Sequence, residues 1–276
     1  MGLSIYYRMK AKVDAEGARG LVGRLHAFVR TLPFDDVSPI FEYDPPDGRY
    51  IFERGDSENG WKPGGHYLNR KRADGLSEMV EVPALHVVYF AANLRGSETA
   101  SFGLASHPPV VVHHEDVIIH PPEGGDERRV GAGPAVEFPT RLRGWYSWSE
   151  CCKTQYAANP KFGGVENFIR AHLSVFRVID ECKRMGLTTY IRDDAKYWRH
   201  RDQRKLLAEL QRWDELIAGF AGRLSDKFGS VPGAIVAPIK DRPDYEHLEA
   251  KGEGRIEEAA RKGKRRGKSG RRGTQD

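Results

Sequence analysis

Seven residues between Val165 and Met185 recur at the spacing of a single helical face: Phe168, Ile169, His172, Leu173, Phe176, Ile179 and Cys182. An apolar stripe of that length has to be covered, so the chain must supply a layer for it to pack on. The pattern predicts a helix over 165–185, ended by Gly186 as a C-cap glycine. A short strand is expected at Leu187–Arg192, then a long helix over Lys205–Phe228 through Leu206, Leu210, Trp213, Ile217, Phe220 and Leu224.

The first half repeats this logic on a smaller scale. Leu3–Val13 alternates apolar and polar residues as a strand does, and Asp14 is a fitting N-cap for a helix. Ala18, Leu21, Val22, Leu25, Phe28, Val29 and Leu32 give that helix its apolar face, and Pro33 stops it. Val37–Tyr43 reads as a strand, with a hairpin through Pro45–Gly48 into Arg49–Glu53. Gly55–Gly75 is polar and glycine-rich, the composition of a long loop. Leu85–Ala92 is dense enough in apolar residues for a central strand. Val110–His114, Asp116–His120 and Glu137–Ser149 follow as further strands, with a turn at Pro121–Asp126. The expected class is α+β: a mixed or antiparallel sheet with two long amphipathic helices in the second half, arranged as two βαβ-containing halves.

Composition narrows the setting. No stretch approaches the roughly 18 apolar residues of a membrane span, and the N-terminus lacks a secretory pattern, so a cytoplasmic protein is expected. Three cysteines are too few for a disulfide scaffold. The formal net charge is +5, yet residues 251–276 hold ten Lys/Arg against four acids, which leaves residues 1–250 at −1. All the basicity is an appendage. Its composition, without large apolar residues in KGKRRGKSGRRG, predicts a disordered basic tail at 251–276 on an α+β body at 1–250. Within the body, Gly124–Gly133 reads as either a linker or a hairpin loop.

Four strings resemble bacterial proteins of unassigned function: GSETASFGL at Gly96–Leu104, CCKTQYA at Cys151–Ala157, GGVENF at Gly163–Phe168 and YEHLEA at Tyr245–Ala250. The resemblance spans roughly residues 85–250. It carries over no catalytic residue, and it implies that the chain beyond Ala250 is an addition to the domain.

Chemistry-bearing residues are scattered. His107, His113, His114 and His120 fall within fourteen residues, but no H-x-x-x-H or C-x-x-C spacing accompanies them, so no metal is expected. On a regular strand, His114 and His120 share a face and His113 lies opposite. No phosphate-binding glycine motif follows a strand, so no nucleotide cofactor is expected either. Cys152 would need a cation, base or helix terminus to act as a nucleophile. Candidate catalytic residues are Glu98, Glu150, Cys152, His172 and Asp193, each with a structural alternative: core packing for His172, turn capping for Asp193. Trp145 and Trp148, three apart on a strand, face opposite ways, one toward the core and the other free to form a binding wall.

Two functions are carried forward. The first is a binding protein for an unknown protein or small-molecule partner, whose basic arm contacts nucleic acid non-specifically through Lys262, Lys264, Arg265, Arg266, Lys268, Arg271 and Arg272. The second is a hydrolase-type enzyme, with a site around Trp145–Gly164 and Asp193/Asp194.

Overall fold

The computed structural model describes residues 3–44, 66–71, 77–119, 128–228 and 238–269. The expected turns at 45–48 and 121–126 lie outside them, as do His120, Arg271 and Arg272. The class is α+β, built on one seven-stranded antiparallel sheet. Its strands are β1 (Ser4–Ala11), β2 (Asp36–Val37), β3 (Phe41–Tyr43), β6 (His86–Asn93), β7 (Ala100–Ser106), β10 (Tyr146–Lys153) and β11 (Thr188–Asp193). Two hairpins stand apart: β4 (His66–Lys71) with β5 (Ser77–Val82), and β8 (Val110–Ile119) with β9 (Arg128–Pro139). The main order is β11-β1-β10-β7-β6-β2, with β3 also on β6.

Helices α1 (Ala15–Val29) and α2 (Gly164–Arg184) lie side by side on this sheet. Asp14 caps α1 as expected, its Oδ1 accepting the Gly17 N–H at 2.8 Å. The α2 stripe becomes the core, with Phe168, His172, Phe176, Ile179 and Cys182 all buried. Because β10 and β11 both run antiparallel to β1, β10–α2–β11 is a strand–helix–strand unit split by β1. The expected βαβ pattern thus survives only with other strands inserted, inside a sheet whose every pairing is antiparallel.

Four boundaries differ from expectation. Glu137–Ser149 is two strands, β9 and β10, parted by a turn in which Arg141 (φ 58°) and Gly144 (φ 72°) take left-handed backbone. The two histidine-bearing segments are one strand, β8, whose register shifts between His114 and Asp116 and again between Val117 and Ile118, so the alternation that sets His113 opposite His114 does not carry unbroken toward the strand's far end. Gly131 pairs with Val117 in the β8–β9 ladder, so 128–133 is strand rather than linker. Residues 66–71, placed in a long loop by composition, form β4 instead. Val80, Val82 and Val111, with Leu68 and Phe138 against them, build a small second core between the two hairpins.

The largest correction concerns the C-terminal segment. After α3 (Tyr197–His200) and α4 (Gln203–Phe228) comes α5 (Tyr245–Ser269), which runs straight through the expected boundary at Ala250. Its start belongs to the body. Arg242 bonds Asp214 of α4 at 2.6 Å, Asp214 accepts from Gln155 Nε2 at 2.8 Å, and Gln155 Oε1 accepts the Leu3 N–H at 2.9 Å. The α4 and α5 backbones touch where Gly219 meets Gly252, and the buried Glu215 pairs with Arg255 beside them. A methyl at Gly252 would sit 1.8 Å from the Glu215 carbonyl oxygen. Gly252→Ala is therefore expected to destabilise the fold by about 2 kcal/mol, the cost of overpacking a close crossing. A chemical-denaturation midpoint lowered without change of slope would register it; an unchanged midpoint would mean that the helices separate freely.

Candidate nucleic-acid interface

Side chains on adjacent strands that pair directly share one face of the sheet. Across β10, β1 and β11 the pairings give three rows on the face turned away from α2: Cys151–Tyr6–Arg192, Ser149–Arg8–Tyr190 and Ser147–Lys10–Thr188. The alternate residues point the other way, into the core. Met9 meets Cys182 of α2 at 3.2 Å, and Asp193 lies against His172.

This face is open at its β11 edge. Tyr190 is 61% exposed, and Arg8 and Ser149 are exposed beside it. The Arg192 guanidinium lies 4.0 Å from the Tyr6 ring centroid and keeps most of its own surface in solvent. In the row beyond, Lys153 pairs with Ser4 and holds its ammonium 4.9 Å over the ring of the exposed Tyr156. Three aromatic rings and four cations (Arg8, Lys10, Lys153, Arg192) thus stand on one surface. Its acidic neighbours are Asp194, 3.9 Å from Arg192, and Glu98, whose Oε2 accepts the Lys153 N–H at 2.8 Å. The positive field reaches His66 of β4: burial pushes that imidazole down to about 4, and His107, Arg8 and Lys10 lower it further.

The last row opens into a groove of about 740 Å³. Lys10 and Thr188 line it together with Lys12, Arg24 and Trp145, and Asp14 and Glu16 lie on its α1 side. Trp148 is buried while Trp145 forms this wall, so the two tryptophans divide between core and surface.

The candidate catalytic residues gather elsewhere, in two sets. Cys152 is buried, and its Sγ–H points to the Glu98 carbonyl at 3.3 Å. Glu150 accepts from Ser101 Oγ at 2.6 Å and from the Cys151 N–H at 2.8 Å. Burial, then Glu98, pushes the Cys152 thiol well above its ordinary value, the opposite of what a nucleophile needs. In the second set His172 is fully buried among Phe168, Phe176 and Tyr197, its Nδ1 2.8 Å from Thr154 Oγ1. Asp193 Oδ1 stands 3.8 Å from His172 Nε2, beyond hydrogen-bond reach. The Asp193 carboxylate instead accepts the Ala195 and Trp198 N–H groups, both at 2.9 Å, and closes the β11–α3 turn. Ile5 separates the sets, paired with Cys152 on one side and Asp193 on the other. None of the five lines the groove. Among the described residues no group of three or more His, Cys, Asp or Glu is placed to hold a metal ion.

A polar relay that sequence reading did not single out runs across the far end of the sheet. Arg19 Nε donates to Glu42 Oε1 at 2.5 Å, His86 Nε2 lies 2.8 Å from that oxygen, and Tyr146 Oη lies 2.9 Å from His86 Nδ1. The hydrogen bond from His86, then Arg19, holds the Glu42 carboxyl below its usual range, so Glu42 accepts from both, and the second imidazole nitrogen, Nδ1, pairs with the Tyr146 hydroxyl. Tyr146→Phe strands that buried nitrogen and is expected to cost about 1–2 kcal/mol. Denaturant titration checks this, and an unchanged midpoint would show that the hydroxyl contributes nothing.

Comparison with protein-family models, with curated proteins and with solved structures finds no match. Among the described residues no helix is long and apolar enough to cross a membrane.

Proposed function

We propose that the chain binds single-stranded nucleic acid across the open face of β10, β1 and β11. One observation carries the reading: Tyr6 and Tyr190 stand diagonally on adjacent strands, with Arg8, Lys10 and Arg192 interleaved on the same surface. Diagonal neighbours of this kind are roughly 7–8 Å apart, within reach of aromatic side chains. Splayed bases stack on such rings whatever their sequence, while the cations between them neutralise phosphates. A duplex hides its base faces and cannot use the tyrosines. The basic half of α5, with Lys262, Lys264, Arg265, Arg266 and Lys268 in its sequence, adds salt-sensitive phosphate attraction without specificity, as do Arg271 and Arg272 beyond it.

The test is fluorescence anisotropy of the full chain with a labelled oligonucleotide, single-stranded and annealed, over a salt series. Single strands are expected to bind more tightly than the duplex, with affinity falling linearly in log salt. Equal affinity for both forms would leave only the basic α5 segment as a contact and would overturn the sheet reading. The hydrolase reading, centred on Trp145–Gly164 and Asp193/Asp194, has no comparable support, because its candidate groups serve as internal hydrogen-bond partners.

A further inference from the structure

We propose that the groove at the end of β1 is a nucleotide pocket that holds the phosphorylated terminal nucleotide of a strand lying on the sheet. The inference rests on the single-strand reading and adds a specificity to it. Lys10 belongs both to the last row of the open face and to the groove wall, so a strand that follows the rows past Tyr6 and Tyr190 runs into the groove. The groove is bounded by the start of α1, by the turn from α2 into β11, and by Trp145, and its volume of about 740 Å³ lies within the roughly 300–1,000 Å³ of small-molecule sites.

The lining has the parts a nucleotide requires. Trp145 offers a ring for the base, and Lys10, Lys12 and Arg24 offer cations for phosphate. Asp14 and Glu16 reduce the excess to one positive charge, and the Asp14 Oδ1 is already engaged by the Gly17 N–H. An excess that small does not retain a free anion against water and salt. The phosphate is held only when the base is stacked with it, so the site selects a nucleotide over inorganic phosphate. A terminal phosphomonoester carries about −1.5 to −2 charges at neutral pH, more than a diester within the strand, and gains correspondingly more from Lys12 and Arg24.

Two measurements on the full chain test the assignment. In the first, a nucleoside monophosphate is titrated against tryptophan fluorescence. Saturable quenching is expected, absent in Trp145→Phe and weakened about tenfold in Lys12→Glu or Arg24→Glu, the scale of one charge contact. Inorganic phosphate at the same concentrations is expected to leave the fluorescence unchanged. Lys12 and Arg24 are exposed, so both variants fold. In the second, oligonucleotides with and without a terminal phosphate are compared by anisotropy, with a preference for the phosphorylated end that disappears in the double variant. Absence of quenching by the nucleotide, quenching with an unchanged midpoint in Lys12→Glu and Arg24→Glu, or a terminal preference that persists in the double variant overturns the pocket. If oligonucleotides fail to bind while the mononucleotide still quenches through Trp145, the pocket stands as a nucleotide site and the sheet reading falls. If oligonucleotides bind with no effect of the terminal phosphate and the nucleotide does not quench, the pocket falls and the sheet reading stands.

Discussion

Tyr190→Ala is expected to weaken single-strand binding by roughly 10- to 100-fold, the range for loss of one stacked base. Tyr190 is 61% exposed and faces away from α2, so the melting temperature should stay where it is. Arg8→Glu with Arg192→Glu acts on a different part of the same interaction. Each removed phosphate contact lowers the slope of log affinity against log salt by about 0.7 on single strands, so the pair should lower it by about 1.4. The tyrosine variant should leave that slope unchanged, because a stacked base releases no counterion. Anisotropy over a salt series separates the two signatures. A Tyr190→Ala protein with wild-type affinity would remove the sheet face from consideration, whatever the α5 segment contributes. Neutralising Lys262, Lys264, Arg265, Arg266 and Lys268 is the fitting control for that segment. Truncation at Ala250 is not, because Gly252 and Arg255 pack on α4.

The parts of the fold legible in the sequence are those whose burial is one-sided. The stripes of α2 and α4 declare a helix because one face is apolar and the rest is not, and β1 and β11 alternate because one face meets α2 and the other meets solvent. β7 has no such contrast. Ala100–Ala105 is buried on both faces of a central position and built mainly from small residues, so its string carries no period to detect. The merging of β9 with β10 has a related cause: the turn between them contains Leu142, which is buried and extends the apolar run across the break. The C-terminal helix, of which the sequence offers only a short and marginal piece around Gly254–Lys262, is obscured for the opposite reason. Its composition is that of an unfolded arm, and what orders its first turns is a neighbouring helix with glycines at the contact, which no local count reveals. The candidate site shows the same division. Cysteines and acids around Glu98 and Glu150 attract attention by type, and the structure assigns them to hydrogen bonds within the sheet. Tyr6, Arg8 and Lys10, and Tyr190 with Arg192, occupy the polar phase of two alternating strands. That signal was present in the sequence, but it needed the register of β1 against β11 to become a surface.

Acidification is expected to unfold the protein, and His172 sets the window. The unfolded imidazole titrates near 6.5, whereas burial among aromatic rings pushes the folded one down to about 3. Between those two values the unfolded chain binds a proton that the folded chain refuses, so stability falls as pH falls, by about 1.4 kcal/mol per pH unit. The loss from this residue is complete near the folded value of about 3 and reaches on the order of 5 kcal/mol, comparable with the whole stability of an ordinary domain. His66, pushed down to about 4, titrates in the same direction over the upper part of the window. Asp193 and Asp214 work against them: burial raises both carboxyls, so their protonation favours the folded state as pH falls. His172→Asn keeps a polar atom within reach of Thr154 and removes the titration. It should cost about 1–3 kcal/mol at neutral pH, for the small cavity it leaves, and it should flatten the acid limb of the stability curve. Urea midpoints measured at steps from neutral pH downward would show the wild-type and variant curves converging and then crossing as acid is added. Parallel curves would mean that the proton taken up on unfolding goes to some other group.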